Sequence, residues 1–572
     1  MKMPSPAAQR ANVLAAFCFS CQLCVFPAQA VSTVNIGSVS GELLQNNPML
    51  RNDVTPSSKP LEKLDGQHAE LIEAEDAGVP AILIKTIHVT HVPPSSQQAV
   101  EALIKPFAGK RMTFIALKNL AVRITAMLQE KGERLSYAYI PDQQVTDNTV
   151  TLDVLNGHIE AVKLGDNQSL LAHQFVNNYL SKMATRKTQI TELEQFMSRI
   201  ADLPGVGNVS SYLSPGEEPG GSLLTLNLLA GPRVDGVMVF DNMGSVSSGR
   251  NRLGMQLNVN SPLGMGDKLQ LLAYVAPDFL QINHKSDHGN TLIGRLAYDL
   301  PIGYRGSRWG LAVSRVNYKL GGPTLSGLGN GYADIASLYA SYPLLRSDNS
   351  HLNLGANLDW KRMHDRFWGM NNDRHTPVLG LQLSGDKQGA LGRRPWMLQY
   401  QLAASAGRIS NADEWNGAST RGHFLKLMQN LNYLQSLTPG VNLTLNFTGQ
   451  QANKNLDGAE KMSLGGAYAV RAYGNSAASV DSGYVISPGI SIPVPWLDKA
   501  RFELFYDYGR GKMQKFAPQS QKVVLKGYGI GLAYNFTQSA FINASYAWRQ
   551  GNEPLLGPQN KATGWITTGL QF

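Results

Sequence analysis

The feature that most constrains the fold is an alternation of apolar and polar residues that runs from Arg233 to the C-terminus. In the segment 441–448, "VNLTLNFT", every second residue is apolar and each residue between is Asn or Thr. A period of two predicts β-strands, and the polar side is too rich in Asn, Thr, Ser, Gln and Gly for a sandwich core. An apolar outside with a polar inside is typical of a transmembrane barrel that holds water. A soluble sandwich with shorter strands would give the same alternation.

The strand count favours the barrel. Sixteen strands are predicted, at 233–241, 251–260, 267–276, 290–300, 308–318, 333–344, 351–360, 374–385, 396–407, 421–434, 441–450, 482–494, 500–509, 523–536, 540–549 and 562–572. Short turns alternate with longer loops, such as 277–289 and 320–332, as they do in outer-membrane barrels. Sixteen strands leave an aqueous lumen. Beyond the N-terminus the sequence has no run of eighteen apolar residues, so we expect the chain to cross the membrane with strands, which pair every backbone group.

The last residue is also informative. The chain ends in "WITTGLQF", in which Ile566, Thr568, Leu570 and Phe572 share one side of a strand. A terminal aromatic residue after such alternation predicts that Phe572 is an assembly signal for insertion of the barrel.

Between Ala81 and Gly231 one order of elements occurs twice, a strand, two helices and two strands. In the first unit they are predicted at 82–92, 97–105, 114–131, 134–140 and 148–157. In the second unit they are predicted at 158–164, 170–183, 190–201, 207–213 and 221–229. Each unit therefore reads as a small α+β domain.

The N-terminus has the pattern of a secretory signal peptide. Lys2 and Arg10 precede a short apolar stretch, and "AQA" at 28–30 predicts cleavage before Val31. Residues 31–80 are polar and rich in Pro, Ser and Asp, which predicts a linker, with a weak helical pattern at 40–46.

Cysteine and charge exclude several classes of function. The three cysteines lie at 18, 21 and 24, inside the predicted signal peptide, so neither disulfides nor thiolate metal sites are expected in the mature chain. The formal net charge of +9 falls to about +7 when two cations leave with the signal peptide (49 basic minus 42 acidic residues). The charges are spread along the chain, so no nucleic-acid partner is expected.

One cation stands out in a loop that is otherwise small and neutral. The stretch 464–487, "LGGAYAVRAYGNSAASVDSGYVIS", begins in the predicted sixth extracellular loop and contains Arg471. In strand thirteen, "RFELFYDYGRG", the apolar parity turns Phe505 and Asp507 toward the lumen. A hydrated Asp507 on the lumen wall is the simpler interpretation. A loop folded back into the barrel would instead pair Arg471 with Asp507 in a charge-assisted contact.

Together these features resemble the outer-membrane transporters of two-partner secretion, the TpsB family, which is similar to the BAM-type insertases. The family has a Val-Arg-Gly-Tyr/Phe motif in loop six and a Phe-x-Asp-x-Gly motif in strand thirteen. The matching residues, which we call the loop-six lock, are Val470, Arg471, Tyr473, Phe505, Asp507 and Gly509. The resemblance implies that Arg471 meets Asp507 inside the barrel. Ala472 stands where the family usually has Gly, and it would be strained if that position required a positive φ.

The resemblance implies a transmembrane antiparallel β-barrel of sixteen strands, preceded by two α+β POTRA domains and an N-terminal plug and linker. The expected boundaries are 1–30 for the signal peptide, 31–80 for the plug helix and linker, 81–156 and 157–231 for the POTRA domains, and 232–572 for the barrel.

It also implies a function and partners. The expected cargo is a large secreted β-helical exoprotein with an N-terminal secretion domain, captured by the periplasmic POTRA domains and exported through the pore without ATP. The other expected partners are outer-membrane lipid, and the barrel-assembly machinery and periplasmic chaperones that insert the barrel. No cofactor and no metal are expected.

Three other functions share features with this sequence. An insertase that places barrels in the membrane shares much of this architecture, but two POTRA-like units and the N-terminal extension favour secretion. An outer-membrane hydrolase is disfavoured, because the sequence has neither G-x-S-x-G nor H-E-x-x-H. A passive porin would lack residues 81–231.

Overall fold

The computed structural model describes residues 81–572 except 183–189, 219, 246, 277–288, 322–324, 348, 411–418, 476, 518–520 and 557–558. The predicted signal peptide, plug helix and linker of residues 1–80 lie outside the described residues. The described residues divide into two compact units, one formed by residues 81–232 with 264–266 and the other by residues 233–263 and 267–572.

The unit formed by residues 81–232 with 264–266 contains both repeats of the strand and helix order that the sequence predicts. Its elements are β1 (Ile82–Ile84), β2 (Thr86–Thr90), α1 (Gln97–Ile104), a 3-10 turn (Lys105–Phe107), β3 (Lys110–Met112), α2 (Phe114–Glu130), β4 (Tyr137–Tyr139), β5 (Thr149–Leu155), β6 (His158–Asn167), α3 (His173–Ser181), α4 (Ile190–Ala201), β7 (Val206–Pro215) and β8 (Gly221–Ala230). The sheets have the orders β2-β5-β4 and β6-β8-β7. In each, the central strand is parallel to one neighbour and antiparallel to the other. The short pair β1–β3 was not predicted.

The helix α2 shows why the first repeat folds. Leu117, Leu120, Ile124 and Leu128 recur at helical spacing, and all four are buried against the sheet. Thr113 caps the helix by accepting a hydrogen bond from the Ala116 backbone N–H, at 3.1 Å. None of the helices in the described part of the chain is long and apolar enough to cross a membrane.

A polar corner ties the edges of the first sheet to β5. Asp153 accepts hydrogen bonds from Thr90 and from the ring of His91, both at 2.6 Å, and from Tyr139 at 3.1 Å. Burial raises the pKa of Asp153, but these hydrogen bonds outweigh burial, so the pKa of Asp153 lies below its usual value.

The unit formed by residues 233–263 and 267–572 is a closed antiparallel barrel of sixteen strands, as predicted. Its strands are β9 (Val234–Asp241), β10 (Arg252–Asn260), β11 (Lys268–Ala276), β12 (Asn290–Ile302), β13 (Ser307–Lys319), β14 (Gly329–Ser347), β15 (Ser350–Phe367), β16 (Met370–Leu391), β17 (Arg394–Ile409), β18 (Gly422–Thr438), β19 (Val441–Ala452), β22 (Ser482–Pro493), β23 (Ala500–Lys512), β24 (Lys522–Asn535), β25 (Ala540–Arg549) and β26 (Ala562–Gln571). Two short strands, β20 (Met462–Ser463) and β21 (Ser479–Val480), pair inside loop six. The barrel closes where β26 pairs with β9, from Thr567↔Asp241 to Gln571↔Val237.

The strands β14, β15 and β16 are longer than predicted, so two predicted loops were wrong. Residues 361–373 continue β15 and β16 except for a two-residue turn, in which Trp368 and Gly369 both have positive φ. The predicted loop 320–332 ends early, because β14 begins at Gly329. Met363 and Phe367 are buried, and they pack in one apolar cluster with Leu320, which explains why the wall continues here.

From Glu503 to Lys512 the side chains of β23 alternate between the two faces of the wall. Leu504 is 51% exposed and Tyr506 is 37% exposed, whereas Phe505 is 5% exposed and Asp507 is fully buried. The odd-numbered residues of this strand therefore lie on the inner side of the barrel wall, where loop six contacts them.

Candidate functional site

Loop six, residues 453–481 between β19 and β22, is packed although its composition is typical of a mobile loop. Val470, Ala472 and Tyr473 are nearly inaccessible, at 0%, 1% and 2% exposed. They belong to one apolar cluster with Phe505 of β23 and Leu525 of β24. The tip of the loop is therefore held by burial of apolar surface as well as by charge.

Arg471 and Asp507 are in direct contact. The carboxylate of Asp507 accepts a hydrogen bond from Arg471 Nη2 at 2.8 Å on Oδ1, and one from Nε at 3.0 Å on Oδ2. The backbone N–H of Arg471 donates a third bond to Oδ2, at 2.9 Å. This is the bidentate geometry that an arginine fork offers a carboxylate, with one main-chain bond added.

Two further residues of β23 complete the environment of the guanidinium. Arg471 Nη1 donates to Glu503 Oε2 at 3.3 Å, so one cation faces two buried carboxylates. The guanidinium carbon lies 3.2 Å from the centre of the Phe505 ring, which allows a cation–π contact. Charge, hydrogen bonding and the aromatic face thus all hold the arginine at one place on the wall.

Three residues of this environment were missed from the sequence. One is Glu503. The others are in β26, where Trp565 Nε1 donates to the Arg471 carbonyl at 2.7 Å and Thr563 Oγ1 donates to the Ala472 carbonyl at 2.9 Å. Glu503 could have been identified from the sequence, because the alternation of side chains in β23 places Glu503 on the same face as Asp507. Nothing local in "ATGWITTG" indicates the height at which the loop crosses β26.

Gly509 of the lock is explained by a close approach. A Cβ at position 509 would lie 2.8 Å from Cγ2 of Val470, well inside van der Waals contact. With Val470 in place, a larger residue at position 509 would push the loop tip away from the wall.

The departure at Ala472 causes no backbone strain. Ala472 is absent from the described non-glycine residues that have positive φ. Its methyl group fits because the facing wall residue is Gly527, where an added Cβ would lie only 2.5 Å from that of Ala472.

Phe572 lies elsewhere, at the seam of the barrel. Its backbone exchanges two hydrogen bonds with Gly236, at 2.9 and 3.1 Å, and its side chain is 51% exposed. It therefore extends the pairing of β26 with β9 and takes no part in the loop-six contact. In the part of the chain with assigned positions, no cluster of three or more His, Cys, Asp or Glu side chains could hold a metal ion.

Comparison with known proteins identifies the family. Residues 220–534 match the family described as haemolysin secretion/activation protein ShlB/FhaC/HecB, and residues 82–157 match the ShlB-type POTRA domain. The heme/hemopexin transporter protein HuxB of Haemophilus influenzae strain 86-028NP is 28% identical over 461 residues, which is 78% of this chain and 79% of that protein. The outer membrane transporter CdiB of Dickeya dadantii is 20% identical over 71% of each chain.

Solved structures agree on the fold. CdiB from Escherichia coli superposes with a TM-score of 0.67 over all of both chains, at 19% identity. BamA from Haemophilus ducreyi lacking POTRA domains 1–3 gives a TM-score of 0.53 at 12% identity, over 86% of this chain and all of that one. At these identities the likeness shows the fold alone. The family match covers more than half of the chain, which therefore belongs to the ShlB/FhaC/HecB family and is an outer-membrane translocator of a secreted exoprotein.

Proposed function

We propose that the loop-six lock holds loop six inside the barrel and that secretion of the exoprotein requires the loop in this position. The observation that carries the proposal is the burial of Arg471 on Asp507 and Glu503, with 8%, 0% and 6% of their side chains exposed. A buried ion pair of this kind adds little net stability to the protein. Loss of one partner, however, strongly destabilises the conformation that buries the other partner. Such a pair suits the fixing of one conformation.

The POTRA domains capture the unfolded cargo by strand addition. In the two three-stranded sheets, β2 and β4 form the edges of one and β6 and β7 the edges of the other. An extended segment that pairs with an edge gains backbone hydrogen bonds, which require little sequence specificity. The expected recognition element is the N-terminal secretion domain of the exoprotein.

The cargo is a large β-helical exoprotein whose folding outside the cell prevents its return. The sequence has no G-x-x-x-x-G-K-[ST] phosphate loop, which supports a drive that does not use nucleotide at the transporter. The names of the relatives indicate heme/hemopexin transport for one protein and haemolysin transport for another. An adhesin, a haemolysin or a contact-dependent inhibition toxin all fit this class, and the neighbouring reading frame would identify which one is the partner.

The proposal also includes how the barrel is inserted into the membrane and how its pore is closed at rest. The barrel-assembly machinery and periplasmic chaperones insert the chain, and Phe572 serves as their signal. The segment 31–80 closes the pore at rest. The competing role, an insertase for other barrels, predicts that the dependent protein stays in the membrane. Finding the dependent protein in the culture medium would exclude that role.

The test of the lock is secretion by Arg471→Ala and Asp507→Ala in cells that make the cargo. The control is Arg510→Ala, which removes an exposed arginine of the same strand. We expect both lock variants to lose secretion into the culture supernatant, while the control secretes normally. The amount of folded barrel in the outer membrane, measured by heat-modifiable migration in gels, should be the same in all three. Normal secretion by both lock variants would refute the role of the lock.

The test of capture is deletion of residues 81–156. We expect the deleted protein to lose pull-down of the cargo while the pore still conducts in planar bilayers. Unchanged pull-down would contradict the capture role.

A further inference from the structure

The first leg of loop six, residues 453–461, contains two carboxylates that the loop-six lock does not use. Asp457 and Glu460 are 6% and 1% exposed, and both lie in or beside a 3-10 turn, Gly458–Glu460. Asp457 begins this turn by accepting a hydrogen bond from the Ala459 backbone N–H, at 3.0 Å. The turn fixes the spacing of the two carboxylates, so both can contact the barrel wall at the same time.

Each carboxylate meets cations of the barrel wall. Glu460 binds Lys361 of β15 at 2.6 Å and Lys426 of β18 at 2.7 Å, using one oxygen for each. Asp457 Oδ2 accepts a hydrogen bond from Arg374 Nη1 of β16, at 2.6 Å. We call these five residues the leg cluster. Its polarity is the reverse of the lock, since here the loop supplies the anions.

Most of the carboxylates that form ion pairs with the cations of the leg cluster come from the loop. Arg374 also pairs with Asp365 of β15, and its side chain is only 1% exposed. With Asp365 included, three cations face three carboxylates, and two of those carboxylates belong to the loop. Removing one partner of a buried pair leaves an uncompensated charge, which is strongly unfavourable.

The ionisation of Glu460 agrees with this arrangement. Burial raises the pKa of Glu460, but Lys361 and Lys426 outweigh burial and lower that pKa to about 2. The two ammonium groups in contact with Glu460 therefore favour the charged form of its carboxylate.

The leg cluster and the loop-six lock lie on different sides of β19 and β22, the two strands that loop six connects. The leg cluster reaches β15, β16 and β18, which precede β19 and β22 around the barrel, whereas the tip reaches β23 and β26, which follow them. We propose that Asp457 and Glu460 are positioning residues that fix the first leg independently of the lock, so that release of the tip from Asp507 leaves the leg on the wall. This inference rests on the proposed function, in which the position of loop six controls secretion.

Single cysteines can report on the leg and the tip separately, because residues 31–572 contain no cysteine. Ala459→Cys reports on the leg and Ala467→Cys on the tip; both alanines are buried, at 6% and 3% exposed. The full mature protein in liposomes is treated with a membrane-impermeant maleimide, and the rate of labelling is compared among variants.

Two substitutions and one control separate the two anchors. We expect Glu460→Gln to raise labelling of the leg reporter by roughly tenfold or more while the tip reporter stays protected. Asp507→Asn should do the reverse. Asp373→Asn is the matched control, since it removes a half-exposed carboxylate of β16 and should change neither rate. Should Glu460→Gln reduce insertion, Asp457→Asn tests the same cluster through Arg374.

The outcomes distinguish this inference from the proposed function. Protection of the leg in Glu460→Gln and Asp457→Asn, or equal exposure of leg and tip in every variant, would overturn the independent anchor. If Glu460→Gln loses secretion while the tip reporter stays protected, secretion depends on the position of the leg as well as on that of the tip. This outcome would support the second anchor. If Asp507→Asn secreted normally while leg and tip still opened separately, the lock would fail as a functional element but the second anchor would stand.

Discussion

The sharpest prediction concerns Asp507→Asn, which keeps the shape of the side chain and removes its charge. Asp507 accepts three hydrogen bonds from Arg471, at 2.8, 2.9 and 3.0 Å. An amide keeps one acceptor oxygen and turns an NH₂ group toward the donors of Arg471. Loss of one partner of a buried pair amounts to about 3–5 kcal/mol. Glu503 remains on the guanidinium at 3.3 Å, so the lower end applies.

A change of about 3 kcal/mol shifts the equilibrium between docked and undocked loop tip by roughly 150-fold. The barrel itself should stay folded, because the hydrogen bonds between its strands are untouched. The assay is maleimide labelling of the Ala467→Cys reporter in liposomes, under conditions in which opening is fast and labelling follows the open population. Glu503→Gln, which loses a single bond, should give a smaller increase. Equal labelling of Asp507→Asn and its parent, or a larger effect of Glu503→Gln, would refute the assignment of Asp507 as the main partner.

Three other predictions follow from the structure. Gly527→Ala should displace the loop tip and raise labelling of the tip reporter, and adding Ala472→Gly should restore protection; failure of this rescue would contradict the contact between the two positions. The lowered pKa of Asp153 adds stability above its unfolded-state value of about 4, and this stability is lost as pH falls through the folded-state pKa. Urea unfolding between about pH 5 and pH 2, followed by circular dichroism, should therefore become less pH-dependent in Asp153→Asn. Deleting Phe572 removes the backbone pair with Gly236 and should lower the amount of heat-modifiable barrel in the outer membrane; an unchanged amount would argue against its role in assembly.

The sequence predicts those parts of the fold that depend on local pattern. The alternation in "FINASYAW" predicts a strand at 540–549, and β25 has these bounds. The same parity turns Asp507 inward, because side chains on a strand alternate without exception unless a bulge intervenes. The local alternation does not predict the added length of β15 and β16, because Met363 and Phe367 are buried by residues distant in the sequence.

The candidate site shows the same limit. Arg471 is the one cation in a stretch of small and neutral residues and strand parity turns Asp507 inward, while the resemblance to a known family implies that the two residues meet. Glu460 was missed from the sequence, because its cations lie on two separate strands, 99 and 34 residues away. A period of two gives the face of a side chain but not its height in the barrel, and the pairing of a long loop with a wall depends on height. Trp565 was missed for that reason as well.

The central claim is that the tip of loop six lies on β23 inside the barrel, and a cysteine pair tests it most directly. In Val470→Cys/Gly509→Cys, the new Cβ at 509 would lie 2.8 Å from the site of Cγ2 of Val470, close enough for a disulfide. We expect the two cysteines to crosslink almost completely in the outer membrane of living cells, as seen by a shift in gel migration that a reductant reverses. Absence of the crosslink, together with rapid maleimide labelling of position 470 from outside the cell, would contradict the account.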